Sequence, residues 1–405
     1  MIFSSDTYSN LKKSLNKKHS RELKSLLSKL KKLDPEFSKN IAHFKFESEG
    51  ALHFFLKEQL RTLVFYLEHT KKLSIDPERF GSVDDLIFEK WNASEFSGDF
   101  LKALNRGLSI QEAHLVALGN FKSHLEVLFE RFIHSSDITG PHYRIQTSLG
   151  ETGTKKPKKL LHSIINIEGK FLDIYAHSLK EFKLFSGRIE LALKLIKIYS
   201  PTSWDRFNAF TEAIIPINAP ELVSYSHQEL PGYSMINLYH RDFVDLLDDL
   251  LHENGHHHLN YYLNLGKLIE EPKELDYFSP WRNSPRPLRG IYHAYFTFFW
   301  AYNLFRDLII NQNQEQSFYQ FSKVEWQKIY TRAVEEYYML DFSFEDLKRA
   351  RKKGLIHPEG WSLIEYQQKL LKKDKKLIDA WEKNIKKKSS ITQLKKNLLK
   401  ARQEF

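Results

Sequence analysis

Apolar residues recur three and four positions apart along most of this chain, a spacing that lays one stripe along an α-helix. Near the start, Leu23, Leu26, Leu27 and Leu30 keep that spacing among lysines, and near the end Leu394, Leu398 and Leu399 do the same. Helical spacing continues through ALHFFLKEQLRTLVFYLEHTKKL and EAHLVALGNFKSHLEVLFERFI, so helix is predicted to about residue 135. It stops at SSDITGPHYRIQTSLGETGTKKPKK, where Gly, Pro, Ser and Thr cluster and a loop or boundary is expected. Short strands are predicted at Ser163 to Ile167, Phe171 to Tyr175, Leu222 to Ser226 and Tyr233 to Leu238, the last two joined by a turn at Pro231-Gly232. Helix returns from about Asp242 to Leu265 and dominates thereafter. The pattern predicts an α+β, predominantly helical fold, with a small sheet beside one polar-studded helix and many helices around both. Four regions are expected: a basic amphipathic helix over 1–33, a helical region over 34–140, an α+β region over 141–365 and a basic helical extension over 366–405.

Charge sharpens this division. The chain of 405 residues carries +10 overall, yet nine Lys or Arg against two acids give +7 before residue 34, and thirteen against four give +9 after residue 365. The middle is therefore acidic, at −6. A groove that follows phosphates needs basic residues across a folded face with aromatic stacking partners, so a nucleic-acid site is not expected. The basic ends read first as solvated helix faces, with docking of an acidic partner as the alternative. Aromatic content of 14% excludes a disordered chain. The start, MIFSSDTYSNLKK, lacks signal-peptide character, and no segment offers about 18 uninterrupted apolar residues. Cytoplasmic residence without a membrane span is the expectation. With no Cys, thiolate chemistry and Cys-held metals are excluded, and any metal must rest on His, Asp or Glu.

Such a set exists in DLLDDLLHENGHHHLNYYLNL. His252 and His256, four apart, project from one face of a helix and can reach a single cation. Glu253 lies about 100° round the helix, close enough to handle the proton of a metal-bound water. Leu246, Leu247, Leu250 and Leu251 supply an apolar flank. Gly255 costs about 1 kcal/mol of helix propensity relative to Ala, so neighbouring structure must support the helix there. His257 and His258 point elsewhere and read as packing or surface residues. Two His hold a catalytic metal poorly, and the third ligand is open between Glu270, Glu271 or Glu274 and the more distant His293.

Between these candidates runs YFSPWRNSPRPLRGIYHAY, where Pro280, Pro285 and Pro287 stiffen the backbone. Arg282, Arg286 and Arg289 supply guanidinium groups suited to carboxylates. At this block the chain resembles a family of bacterial H-E-x-x-H proteins encoded with ribosomally made peptide natural products, understood as iron- and 2-oxoglutarate-dependent peptide β-hydroxylases. The resemblance runs from about residue 210 to 365. It rests on SYSHQELPGYSMINL, HENGHHHLN, the PWRxxPRPLxG block, a His three residues beyond its Gly, and LIHPEGW. One departure is Ser284, where the family usually has Asp before Pro-Arg-Pro; Asn283 and the basic ends are others.

The resemblance implies Fe(II) on His252, His256 and His293, a 2-oxoglutarate co-substrate whose distal carboxylate is clamped by Arg286 or Arg282, and a peptide substrate hydroxylated on a side chain. Glu253 then orients a ligand or water. An alternative is a zinc metallopeptidase, in which Glu253 activates zinc-bound water and Glu270, Glu271 or Glu274 completes the metal set. A third reading is a non-catalytic metal-binding or scaffold protein.

Overall fold

The computed structural model describes residues 3–42, separate helical and turn residues between 57 and 123, strand residues 144–145, 166–167 and 170–171, and residues 179–404 apart from short gaps. Much of the helix predicted between 43 and 135, and the strand residues predicted at 163–165 and 172–175, lie outside the described residues. The architecture is α+β and mostly helical, as the apolar spacing requires.

The sheet that flanks the site has four strands in the order β1-β4-β6-β5: β1 Arg144–Ile145, β4 Ala213–Ile217, β6 Tyr233–Asn237 and β5 Tyr225–Ser226. β4 runs parallel to both β1 and β6, while β5 pairs antiparallel with β6, Tyr225 opposite Met235 and Ser226 opposite Ser234. All five residues of β6 are buried. β2 (Asn166–Ile167) and β3 (Lys170–Phe171) form a separate hairpin. β4 is absent from the sequence reading because Pro216 interrupts its apolar run, and a Pro argues against a sheet interior. It is accommodated because β1 pairs only with Ala213 and Ile214, among the described residues.

β7 (Tyr277–Ser279) and β8 (Ser284–Arg286) make a third small sheet, so the stiff Pro/Arg block is a hairpin. Asn283 sits in its turn at φ 48°, a left-handed conformation that Asn tolerates better than most residues. The Arg282 N–H donates to the Ser279 carbonyl at 3.2 Å and closes the turn.

The helices, in chain order, begin with α1 (Ser5–Leu33) and α2 (Pro35–Asn40). α3 (Leu179–Tyr199) and α4 (Pro201–Phe210) precede β4, and α5 (Phe243–Leu265) carries the His motif. α6 (Leu288–Ile310) and α7 (Lys323–Lys352) follow the hairpin, then α8 (Pro358–Lys373), α9 (Lys375–Asn384) and α10 (Ser389–Glu404). α5 starts where predicted because the Asp242 carboxylate accepts from the Asp245 N–H at 2.9 Å, satisfying a free donor of the first turn. α7 opens with a reciprocal Ser322/Glu325 capping box. No described helix is long and apolar enough to cross a membrane.

Both basic ends are tied into the body. α1 buries Tyr8, Leu11 and Leu15 against Phe210 and Tyr261, and Lys18 donates to the carbonyl of Asn264 at 2.5 Å. Leu23 and Leu30 are buried, Leu26 and Leu27 half-buried, and most lysines between them face solvent. At the other end the boundary read after residue 365 falls inside α8, and Leu371, Ile378, Trp381, Ile385 and Ile391 belong to the main core. Leu398 is buried but Leu399 stands 69% exposed. Asp374 accepts from Tyr302 Oη at 2.8 Å and from Arg306 Nε at 2.7 Å, bonding the α8–α9 junction to α6. Trp381→Ala, which empties a buried indole site, is expected to lower stability by about 3–5 kcal/mol, read from the urea midpoint at unchanged m-value. A loss below about 1 kcal/mol would mean that the C-terminal helices are not part of the cooperative core.

Candidate metal centre

The motif helix faces the small sheet on one side and α6 on another. Leu246, Leu247, Leu250 and Leu251 are all fully buried, forming the expected apolar flank. On the adjoining face the Nε2 atoms of His252 and His256 stand 3.2 Å apart, with their rings nearly perpendicular. Two metal–nitrogen bonds of about 2.1 Å meeting between right and tetrahedral angles would separate their nitrogens by about 3.0 to 3.4 Å, so the pair suits one cation. Single ligand-type atoms of His252, Glu253 and His256 all lie within 4.8 Å of one another.

His293 comes to the same place from α6. Its ring centroid is 6.1 Å from that of His256, and its Nε2 is buried without a hydrogen-bond partner. Gly255 makes this approach possible. A Cβ built there would lie 3.0 Å from Thr297 Cα and 3.3 Å from Trp300 Cδ1, so α6 crosses where α5 has no side chain. The residue that weakens the helix is thus the one that lets its neighbour in. Burial holds all three imidazoles in the neutral form, His256 down to about 4 and His252 and His293 well below the usual value. Neutral imidazoles keep the lone pairs that a metal needs.

Glu253 is only 3% exposed, and its Oε2 has no hydrogen-bond partner. Burial, reinforced by Asp249 and Asp248 and opposed by the Ser226 hydroxyl, pushes its carboxyl up to about 8. A divalent cation on the neighbouring imidazoles would pull it back down.

These residues line a cavity of about 480 Å³ between β5, α5, α6 and the hairpin. Arg282 and Arg286 both line it and are exposed; among the described residues neither forms a hydrogen bond or an ion pair through its side chain. Glu270 and Glu271 are engaged elsewhere, Glu270 with Lys267 and His357 and Glu271 with Arg289, and Glu274 is exposed. None of the three lines the cavity. Of the third-ligand candidates, His293 is therefore the one brought to the His pair.

Several groups that the sequence did not single out hold the walls. Ser224 Oγ donates to Asp249 Oδ2 at 2.6 Å and accepts from the Asn237 N–H at 3.0 Å, pinning the strand segment to the motif helix. His257 Nδ1 accepts from the Gly232 N–H at 3.0 Å, so its proton lies on Nε2, 2.9 Å from Ser234 Oγ. His258 stacks on Phe210 at 4.5 Å. Both therefore pack, as read. On the far wall, α7 presents two residues one turn apart. Arg332 donates to Asp248 Oδ2 at 2.6 Å, and Glu336 accepts from Trp281 Nε1 at 2.7 Å. Trp281 stacks flat on Phe298 at 4.7 Å, and Phe298 lies 4.2 Å from the His252 ring. Hairpin, α7 and the His252 face of α5 are joined through these contacts. Burial pushes the Glu336 carboxyl up to about 8, with Arg332 opposing.

Gly255→Ala tests the helix approach. The added methyl should push α6 away, costing about 1–3 kcal/mol by overpacking despite better helix propensity, and should weaken metal affinity as His293 withdraws. Equal stability and equal metal titration curves for variant and parent would show that the approach does not depend on glycine. No family model matches the chain, and no curated protein matches it.

Proposed function

We propose that this protein is a metal-dependent oxygenase, using Fe(II) and 2-oxoglutarate, that hydroxylates a side chain of a ribosomally made peptide. The observation that carries the reading is that His252, His256 and His293 line one cavity whose rim holds two arginines without a side-chain partner among the described residues. The sequence resemblance over residues 210–365 supports it.

The residues present fit the metal, since two imidazole nitrogens already stand at ligand spacing and a third is buried without a partner. When bound, iron with its keto-acid supplies the oxidising chemistry needed to place oxygen on an unactivated carbon. The chain's own contribution is selection and positioning. Three neutral imidazoles leave the cation its full charge, which favours a dianionic co-substrate. Arg286 is flanked by Pro285 and Pro287 and lies on a hairpin strand, so its guanidinium can be aimed at the distal carboxylate with little loss of freedom. Arg282, in the turn of the same hairpin, is the second candidate. A carboxylate oxygen of Glu253 lies within 4.8 Å of a ring nitrogen of each motif imidazole, and Glu253 orients a ligand or a water. Phe298, Trp281 and Ala294 supply apolar wall against bulk water.

The zinc peptidase alternative draws on Glu253, which stands beside the His pair as such chemistry requires. Against it, Glu270, Glu271 and Glu274 lie away from the cavity.

Metal content after anaerobic purification, together with succinate formed from 2-oxoglutarate, tests the proposal: iron and succinate are expected, whereas tightly held zinc with peptide cleavage would replace this reading by the alternative. His252→Ala and His256→Ala should each lose the metal. Arg286→Lys should keep it yet raise the half-saturating 2-oxoglutarate concentration roughly ten- to a hundredfold, because a charge-assisted two-point contact is worth about 1.5–3 kcal/mol. Unchanged half-saturation in both Arg286→Lys and Arg282→Lys would remove the carboxylate clamp from the scheme.

A further inference from the structure

Behind the motif helix, on the side away from the cavity, lies a second polar group that the oxygenase reading does not use. Arg206 of α4 is completely buried. Its Nε donates to Asn254 Oδ1 at 2.8 Å, inside the His motif, and Asn254 in turn donates to Thr211 Oγ1 at 2.8 Å. The guanidinium carbon sits 3.7 Å from the centroid of the Trp300 ring. Both Nη1 and Nη2 are buried without an acceptor. So are Trp300 Nε1 and both ring nitrogens of His258, whose ring centroid lies 5.9 Å from that of Trp300. The surrounding walls are aromatic: Phe3, Tyr8, Phe210, Tyr262 and Phe296 all pack on His258.

This arrangement is rich in donors and, among the described residues, contains no carboxylate. Burial lowers Arg206 only to about 9, the one opposing influence being Tyr8, so the guanidinium stays charged at neutral pH. An isolated buried cation is strongly unfavourable, and buried N–H groups in folded proteins are nearly always paired. Water could accept the N–H groups but would leave the charge uncompensated. A dianion would overcompensate one guanidinium. A small monoanion accepts several donors at once and balances the charge, and the positive edges of the surrounding rings favour it.

We propose that the unpaired donors of Arg206, Trp300 and His258 form a buried binding site for a small inorganic monoanion such as chloride, which braces the motif helix through Asn254. The site does not depend on the metal or on the reaction assigned to the cavity.

Thermal unfolding of the full chain, followed as sodium chloride replaces sodium gluconate at constant ionic strength, reads this directly. The expected result is a rise in Tm of a few degrees that begins near Kd and then grows with the logarithm of chloride concentration, as for any ligand that binds only the folded state. Bromide should substitute, and crystals grown in bromide should show an anomalous peak beside Arg206 Nη1 and Nη2. Trp300→Phe keeps the ring under the guanidinium but removes one donor, and should move the chloride concentration at which Tm begins to rise several-fold higher. Identical Tm in chloride and gluconate at every concentration, or bromide crystals with no peak at Arg206, would overturn the proposal. Should Trp300→Phe fail to fold, the parent titration and the bromide peak decide alone. Metal loading and turnover enter none of these readouts, so failure here and failure of the oxygenase reading are separable.

Discussion

The close approach of α5 and α6 at Gly255 is the constraint on which the rest of the site depends. Helices carrying ordinary side chains pack with their axes about 8–10 Å apart, a spacing set by the residues between them. With no Cβ at Gly255, the backbone of Thr297 comes within what would be a 3.0 Å contact, and one turn earlier on α6 stands His293. The motif helix therefore supplies two imidazoles and, by omitting a side chain, admits the third. Gly360, at the start of α8, leaves room for the Leu268 carbonyl where a Cβ would clash, and its own carbonyl accepts from Tyr292 Oη at 2.9 Å, one residue before His293.

Around this contact the walls are held by polar groups whose burial makes them exacting. Ser224 with Asp249, Arg332 with Asp248 and Glu336 with Trp281 attach a strand segment, a long helix and a hairpin to one cavity. Each contains a group that would be costly to bury without its partner. The pairs contribute little net stability compared with the apolar core, but they discriminate strongly between the correct arrangement and a displaced one. That property suits a site whose atoms must be placed to a fraction of an ångström.

Much of this was legible in the sequence, for a physical reason. Helical periodicity, the Asp242 cap and the four-residue spacing of His252 and His256 are local properties, written within a turn or two of chain. The strands at 225–226 and 233–237 were visible because their residues alternate or are β-branched near a Pro-Gly turn. The central strand at 213–217 was not, because Pro216 disguises it and only pairing with β6 reveals it. The boundary drawn after residue 365 follows the conspicuous lysines and falls inside α8, whereas Ile378 and Trp381 show their role only when packed. Asp248, Arg332 and Glu336 had no signal at all: their partners are up to 84 residues away, and an acid or arginine in a helix ordinarily reads as solvated surface. From the residues alone the third ligand stayed open between His293 and Glu270, Glu271 or Glu274, and the resemblance implied His293; the structure adds that the glutamates have other partners or face solvent.

The charge of the cavity varies with depth, and that gradient bears on the order in which ligands would enter. Along α5 the wall carries Asp248, Asp249 and Glu253, and burial raises the pKa of all three, Asp249 to about 6 and Glu253 to about 8. Arg332 and Arg241 pair with the first two. The remaining excess of positive charge sits at the rim, on Arg282 and Arg286, which have no acid beside them among the described residues. A dianion arriving first would meet neutral imidazoles and a carboxyl at depth, with nothing there to compensate its inner end. A cation arriving first would lower the pKa of Glu253, occupy the imidazole lone pairs and leave a field directed outward toward the rim arginines. In the proposed reading the metal therefore precedes the keto-acid, because the protein supplies counter-charge for the outer end of that ligand and leaves the inner end to the metal.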